Sequence, residues 1–282
     1  MNRLDTKRRA QIVHCLCEGM SIRATCRITG ADKKTVLRLL VSVGEACAAY
    51  QDGAIGNLTS KRIQADEVWS FVGAKDKNVP EEKRGQFGVG SVWTWTAMDA
   101  DTKLMISWLV GTRDAGAAWE FMQDLAGRVK HRVQLTTDGH GAYLSAVEDA
   151  FGGAIDYAML VKLYGTGPAE AGRYSPPVCT GSTVKKIEGN PDPRHISTSY
   201  VERANLTIRM GMRRFTRLTN AFSKKVENHV HALAMFFMFY NFARVHQTLR
   251  VTPAMEAGIA DHVWTVEEIV SLVHDEDVII LR

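Results

Sequence analysis

The sequence predicts an α/β protein, a mixed sheet flanked by helices and preceded by an all-α segment. Three observations lead there. The first sixty residues carry apolar side chains at helical spacing. Alternating stretches at 63–72, 91–98 and 104–110 then read as strands, the last two as a hairpin across Asp99-Ala100-Asp101-Thr102. Beyond them, helix and strand patterns take turns up to a helix that begins near Tyr200.

In the N-terminal part, Ala10, Ile12, Val13, Leu16 and Cys17 mark a helix from Thr6, and Gly19 is its stop. Ser21 caps a short second helix, Thr29-Gly30-Ala31 is a tight turn, and Asp32 caps a third helix. This is the helix-turn-helix plan, whose last helix enters the DNA major groove. Lys33, Lys34, Thr35 and Arg38 sit near that helix's N-terminal end, where base and phosphate contacts are made. A plain three-helix bundle used for packing or dimerisation is the alternative. Gln51 to Asn57, with Gly53 and Gly56, reads as a linker, so residues 1–58 form a first unit.

Residues 59–258 form the second unit. Its first strand carries Asp66 between apolar residues. Asp114 caps a helix that buries Ala117, Ala118, Phe121, Met122 and Leu125. Val133 to Thr137 is a strand ending at Asp138, Ala142 to Phe151 a helix, and Ile155 to Leu163 a further strand. Residues 165–198, rich in Gly and Pro, read as an inserted flap with a short strand pair around Val178 to Ile187. The helix from Tyr200 has Val201, Leu206, Ile208 and Met212 for its buried side. Glu202 and Arg209 lie about two turns apart on one face of it. Ser223 to Phe242 is an apolar helix that packs on the sheet. Residues 259–282 form an acidic tail with a helix from Trp264, capped by Thr265 and Glu268. The tail either covers a basic surface or makes oligomer contacts.

Three strands, helix, strand, helix, strand and a late helix is the order of a ribonuclease-H-like domain. In that architecture the first strand is central and lies beside the fourth. Asp66 and Asp138 then meet, and the late helix lays Glu202 beside them. Such a trio suits divalent metal, because Mg²⁺ (or Mn²⁺) prefers hard carboxylate oxygens. Two ions about 3.5–4 Å apart can activate an oxygen nucleophile and stabilise the leaving oxygen of a phosphodiester. Clustered carboxylates repel, and metal charge makes their joint ionisation favourable. Glu67 ranks second, since adjacent strand residues point to opposite faces. Plainer readings exist. Asp138 before Gly139 is also a turn former, and Glu202 near a helix start is also a surface charge. Asp66 is harder to dismiss, because a carboxylate in a core-like strand needs a partner.

Composition bounds the function classes. The 282 residues are 45% apolar and 23% charged, as in soluble globular proteins. The net charge of +4 is uneven: residues 1–62 and 199–250 carry +6 and +7, while 63–198 and 251–282 carry −3 and −6. Basic segments around a mildly acidic one point to a polyanion partner, with solvated helix faces as the alternative. Arg203, Arg209, Arg213 and Arg214 lie in the second basic segment and are candidate DNA contacts. Five cysteines with no CxxC pair point to a reduced, cytoplasmic protein without a disulfide framework. The polar N-terminus has no signal core, and no apolar run approaches membrane-spanning length.

Longer stretches carry a resemblance. They are Asp66-Glu67-Val68-Trp69-Ser70-Phe71-Val72-Gly73, Thr137-Asp138-Gly139-His140-Gly141-Ala142-Tyr143, and Val201-Glu202-Arg203-Ala204-Asn205-Leu206-Thr207-Ile208-Arg209. The run Arg217 to His229 and the tail Tyr240-Asn241, Arg244 to Leu249 and Thr252-Pro253-Ala254 belong with them. Together they resemble bacterial insertion-sequence transposases of the DDE type, similar to the insertion sequence one family, over most of residues 63–255.

The resemblance implies a ribonuclease-H-like catalytic core that cleaves DNA at transposon ends and joins 3′-hydroxyls to target DNA. Asp66, Asp138 and Glu202 take the acidic, metal-holding roles, with two Mg²⁺ or Mn²⁺ ions per site, and Arg209 matches the basic position after the Glu. Glu67, Asn205 and His229 are secondary candidates. His229, His231 and His246 suit structural or phosphate-contacting roles better than metal ligation. Partners implied are double-stranded DNA, both terminal inverted repeats and target, and further copies of the chain. The expected location is the bacterial cytoplasm, on the nucleoid. Two departures stand out. The family's N-terminal zinc-finger cysteines are absent, and Asp138 and Glu202 are 64 positions apart, longer than in the shortest members. A non-catalytic DNA-binding repressor and a nuclease without strand transfer are the competing functions.

Overall fold

The strand β1 (Arg62–Val72) organises the sheet. It pairs along its length, antiparallel, with β2 (Gly90–Asp99), from Ile63 opposite Asp99 to Val72 opposite Gly90. β2 pairs antiparallel with β3 (Met105–Gly111). On its other side β1 pairs, parallel, with β4 (Val133–Thr137), but only from Arg62 to Ala65. β5 (Ile155–Tyr164) and β6 (Cys179–Glu188) complete a six-stranded mixed sheet of order β3-β2-β1-β4-β5-β6. The computed structural model describes residues 4–165, 178–216 and 220–273.

Helices flank this sheet: α1 (Thr6–Cys17), α2 (Ile22–Thr29), α3 (Lys33–Ala54), α4 (Ala115–Arg128), α5 (Ala142–Phe151), α6 (Ser199–Gly211), α7 (Val226–Met238), α8 (Pro253–Glu256) and α9 (Val266–Ser271). Their starts follow local chemistry. Asp5, Ser21, Asp32 and Asp114 each accept a backbone N–H of the first turn of α1, α2, α3 and α4. Gly30 closes α2 at φ 67°, a left-handed conformation that favours glycine. Thr265 and Glu268 form the reciprocal capping box expected at α9. Among the described residues no helix is long and apolar enough to cross a membrane.

The N-terminal helices share one apolar core with the sheet, running from Val13, Leu40 and Val43 through Leu233 and Phe236 to Ile63 and Leu135. α3 and α7 approach closely at Gly44, where an added Cβ would meet the His231 Cβ at 2.5 Å. The reading of Gln51 to Asn57 as a linker is therefore corrected. α3 runs to Ala54, and the buried Gln51 amide donates to Cys47 O and Ala234 O, which ties its last turn to α7. That tertiary bond outweighs the low helix propensity of Gly53.

Three further expectations change. Val201, Ile208 and Met212 are buried as expected, but Leu206 is 41% exposed, and Ala204 and Asn205 complete the buried side of α6. The expected flap is, in its described part, the edge strand β6 paired antiparallel to β5 from Tyr157 to Tyr164. Residues 166–177, the rest of that flap, lie outside the described residues, as do 217–219 and the tail's 274–282. The apolar helix expected from Ser223 begins at Val226 and ends in a wider turn, Phe239–Ala243. It packs on α3, and Phe237 meets Trp108 of β3 with ring centroids 5.5 Å apart.

Gly44→Ala is expected to lower stability by about 1–3 kcal/mol, the usual cost of overpacking. Urea unfolding checks it, and an unchanged midpoint would contradict the close helix approach.

Candidate metal centre

The end of β4 builds the site. Ala65 pairs with Thr137, so Asp66 and Asp138 are the next residues on neighbouring parallel strands. β4 then stops, and among the described residues β1 has no strand partner on that side from Asp66 until Val72 bridges Ser223. Asp138 turns there by accepting the His140 backbone N–H at 2.9 Å. Its turn-forming role and its place in the cluster coexist.

Carboxylate oxygens of Asp66, Glu67 and Asp138 all lie within 4.8 Å of one another. Glu67 was ranked behind Asp66 because neighbouring strand residues face opposite ways. That alternation holds at the backbone, but the longer Glu67 side chain has an open strand edge beside it, where β4 no longer pairs. Its carboxylate is buried under Tyr143 of α5 and bonded by Arg113 at 3.1 Å. The Tyr143 hydroxyl stands beside Glu67 without an aligned hydrogen bond. Arg113 also reaches Asp138 at 3.7 Å and lies over the Trp93 ring.

On the other face of β1, Gln64 and Asp66 hold α6. The Gln64 side-chain oxygen accepts the N–H groups of Tyr200 and Val201, at 2.8 and 3.2 Å. Asn205, one turn on, donates to Asp66 Oδ2 at 2.9 Å, and its own oxygen accepts from Thr96 at 3.1 Å. Asn205 is thus an orienting partner of Asp66. Glu202 lies in the first turn of α6, close enough for its charge to act on Asp66. Its two oxygens are held by Lys162 of β5 and by the Thr198 hydroxyl. The structure brings Asp66, Asp138 and Glu67 into one donor set. Glu202 stands alongside with a cation of its own.

The electrostatics follow from this crowding. Burial first, then the charge of Asp138, pushes Asp66 up to about 6. The same two causes, in the same order, push Glu67 up to about 7. Carboxylates that resist ionising together are the donor chemistry a hard divalent cation satisfies. By that test a hard divalent cation fits the residues present.

The other candidates divide. Lys33, Lys34 and Arg38 are exposed at the start of α3, with Thr35 half-buried beside them. Arg203 and Arg213 are exposed, and Arg209 is half-buried on α6. Arg214 turns inward and donates to Ser223 at 2.7 Å. His229 is buried between Ser70 and Ser223, and burial lowers its pKa to about 3. It is a neutral structural residue. Sequence reasoning missed Gln64, Arg113, Thr198 and Lys162. A polar Gln64 two residues before Asp66, and a Lys162 inside an apolar strand run, are signals that could have found two of them.

No family model matches the chain, and no curated protein matches it in sequence. Among solved structures, the piggyBac transposase synaptic complex with hairpin DNA is 12% identical at a TM-score of 0.40. That match covers 96% of this chain and 71% of that one. The Mos1 strand transfer complex is 10% identical at a TM-score of 0.24, covering 84% of this chain and 76% of that one. Similarity at this level assigns neither fold nor family.

A pH dependence follows from the raised acids. Unfolded carboxylates lose their protons near pH 4. Native Asp66 and Glu67 keep theirs to about 6 and about 7. Between those values the native state binds more protons, so stability falls as pH rises. With divalent ions chelated, wild-type stability is expected to decline across pH 4–7 relative to the double variant Asp66→Asn, Glu67→Gln. A pH-independent difference in urea midpoints would contradict the shifts.

Proposed function

We propose that this chain is a DNA transposase with a ribonuclease-H-like core. In this reading it cleaves transposon ends and transfers strands with carboxylate-held Mg²⁺ or Mn²⁺. The observation that carries the reading is the placement of Asp66 and Asp138 side by side where β1 outruns β4, with Glu67 in reach and Glu202 of α6 near enough for its charge to act on Asp66. The sequence stretches around these three acids, which resemble those of insertion-sequence transposases similar to the insertion sequence one family, support it. The charged α3 start supports the DNA-binding half.

Each residue has a task in this reading. Asp66, Asp138 and Glu202 hold the metal, and Glu67 is the further oxygen ligand within reach. When bound, the ions supply an activated oxygen nucleophile and a stabilised leaving oxygen. Asn205 fixes the rotamer of Asp66, and Arg113 restrains Glu67 and Asp138 from behind. Lys33, Lys34, Thr35 and Arg38 grip the terminal repeat as a helix-turn-helix. Arg203, Arg209 and Arg213 meet phosphates nearer the carboxylates. Gly19, in the turn between α1 and α2, lies against Gly211 at the end of α6, where a Cβ would meet Gly211 O at 2.5 Å. A duplex held by α3 is thereby set at a fixed distance from the acids on α6 and β1. Synapsis of two ends calls for a dimer or larger assembly.

Divalent-metal-dependent cleavage of duplexes carrying the element's own terminal repeats is the test. Asp138→Asn is expected to reduce cleavage by more than 100-fold, and Asn205→Ala by about 10–100-fold, the usual cost of losing a ligand's orienting partner. Full cleavage by Asp138→Asn would refute the site. DNA binding without cleavage in the wild type would favour a non-catalytic repressor, and cleavage without joining a plain nuclease.

A further inference from the structure

A second site lies on the far side of α6. A cleft of about 710 Å³ opens between α1–α3 and residues 212–214 and 220–225. Its floor is apolar, with Leu37, Met235 and Phe236 among the lining side chains. Its cations are Arg23, Lys33, Arg213, Arg214, Lys224 and Lys225, and no Asp or Glu lines it among the described residues.

Arg214 is the unusual member. Its charged group is crowded enough that burial alone lowers its pKa to about 10. A guanidinium has five N–H donors. The Arg214 hydrogen bond goes to a neutral group, Ser223 Oγ, and no carboxylate pairs with it among the described residues. Arg128, which is also largely enclosed, shows the ordinary solution, with Asp52 at 2.7 Å and Asp124 at 2.8 Å. A buried charge without a counter-ion is costly.

The polar groups around Arg214 do not neutralise it. One tautomer satisfies the whole chain behind it. Ser223 accepts from Arg214 and donates to His229 Nδ1, at 3.0 Å. His229 Nε2–H then donates to Ser70 at 3.2 Å, and Ser70 donates to Val92 O. Every group in this chain is neutral, so it gives Arg214 a hydrogen bond but no counter-charge. The wall is rigid, because Gly73 N of the β1 end donates to Ser223 O at 2.8 Å. The N-terminus of α7 borders the same cleft through Lys224, Lys225 and Asn228, and no side chain caps it. Its first-turn N–H groups and helix dipole add to the pull on an anion. Glu227, in that turn, is exposed and does not line the cleft.

We propose that this cleft is a phosphate site, in which a backbone phosphate of bound DNA supplies the counter-ion that Arg214 lacks. Tetrahedral oxyanions match the guanidinium fork, and the surrounding lysines suit a polyanion. The DNA source rests on the transposase reading above, whereas the anion site does not. It uses none of Asp66, Glu67, Asp138 and Glu202, so failure of the metal reading leaves the anion test intact.

Thermal unfolding of the full chain in inorganic phosphate, against chloride at equal ionic strength, tests the site. The wild type is expected to melt higher in phosphate. Arg214→Met loses that increment, and in chloride it melts no lower than wild type, because an uncompensated charge has gone. Lys225→Ala, at an exposed position, reduces the increment and serves if Arg214→Met does not fold. A labelled duplex identifies the source: Arg214→Met lowers the slope of log K against log salt by about 1, whereas the distant Lys130→Met leaves it unchanged. No phosphate increment in the wild type, or one that persists in Arg214→Met, overturns the site. A phosphate increment lost in Arg214→Met with an unchanged salt slope overturns the DNA assignment.

Discussion

The short parallel pairing of β1 with β4 is the constraint on which the candidate centre depends. Four residues, Arg62 to Ala65, pair with Gln134 to Thr137, and then β4 ends while β1 runs on to Val72. One register places Asp66 beside Asp138, and the ended strand leaves space for both carboxylates and for Glu67. A register slip of one residue would move Asp66 to the opposite face and take Gln64 away from α6. Ile63 and Ala65 are fully buried on the face opposite Gln64 and Asp66, so the same slip would carry polar side chains into their places.

Crowding three carboxylates at a sheet edge is unfavourable, and the surrounding structure spreads that cost. Arg113 approaches from the β3 end, and Asn205 with Thr96 holds Asp66 through neutral hydrogen bonds. Lys162 and Thr198 hold Glu202 apart from the other three. These contacts compensate only in part, because burial and the Asp138 charge still raise Asp66 and Glu67 well above ordinary carboxylates. The stability lost to this crowding is what a divalent cation would return on binding.

Much of this was legible in the sequence because order and alternation are local signals. The strands at 63–72, 91–98 and 104–110, the caps at Ser21, Asp32 and Asp114, and the meeting of Asp66 with Asp138 follow from pattern and element order. What failed depended on where neighbouring elements stop or how they pack. Glu67 was ranked second by the alternation rule, which knows nothing of a partner strand ending at Thr137. Gln51 looked like linker until its amide met Ala234 O of α7. Leu206 fitted a buried helical stripe, but Ala204 and Asn205 are the buried residues there, Asn205 on Asp66 of β1. Arg113 carries no local mark of Glu67, and Lys162, though conspicuous in its apolar strand, does not name Glu202 as its partner, because those contacts span 46 and 40 residues of chain.

The most direct test of the central claim is Mn²⁺ anomalous diffraction from crystals of the full chain. The account predicts a peak bonded by Asp66 and Asp138, with an oxygen of Glu67 or Glu202 completing the protein ligands. A chain saturated with Mn²⁺ that shows no peak at these carboxylates, with Arg113 still bridging Glu67 and Asp138, would contradict it.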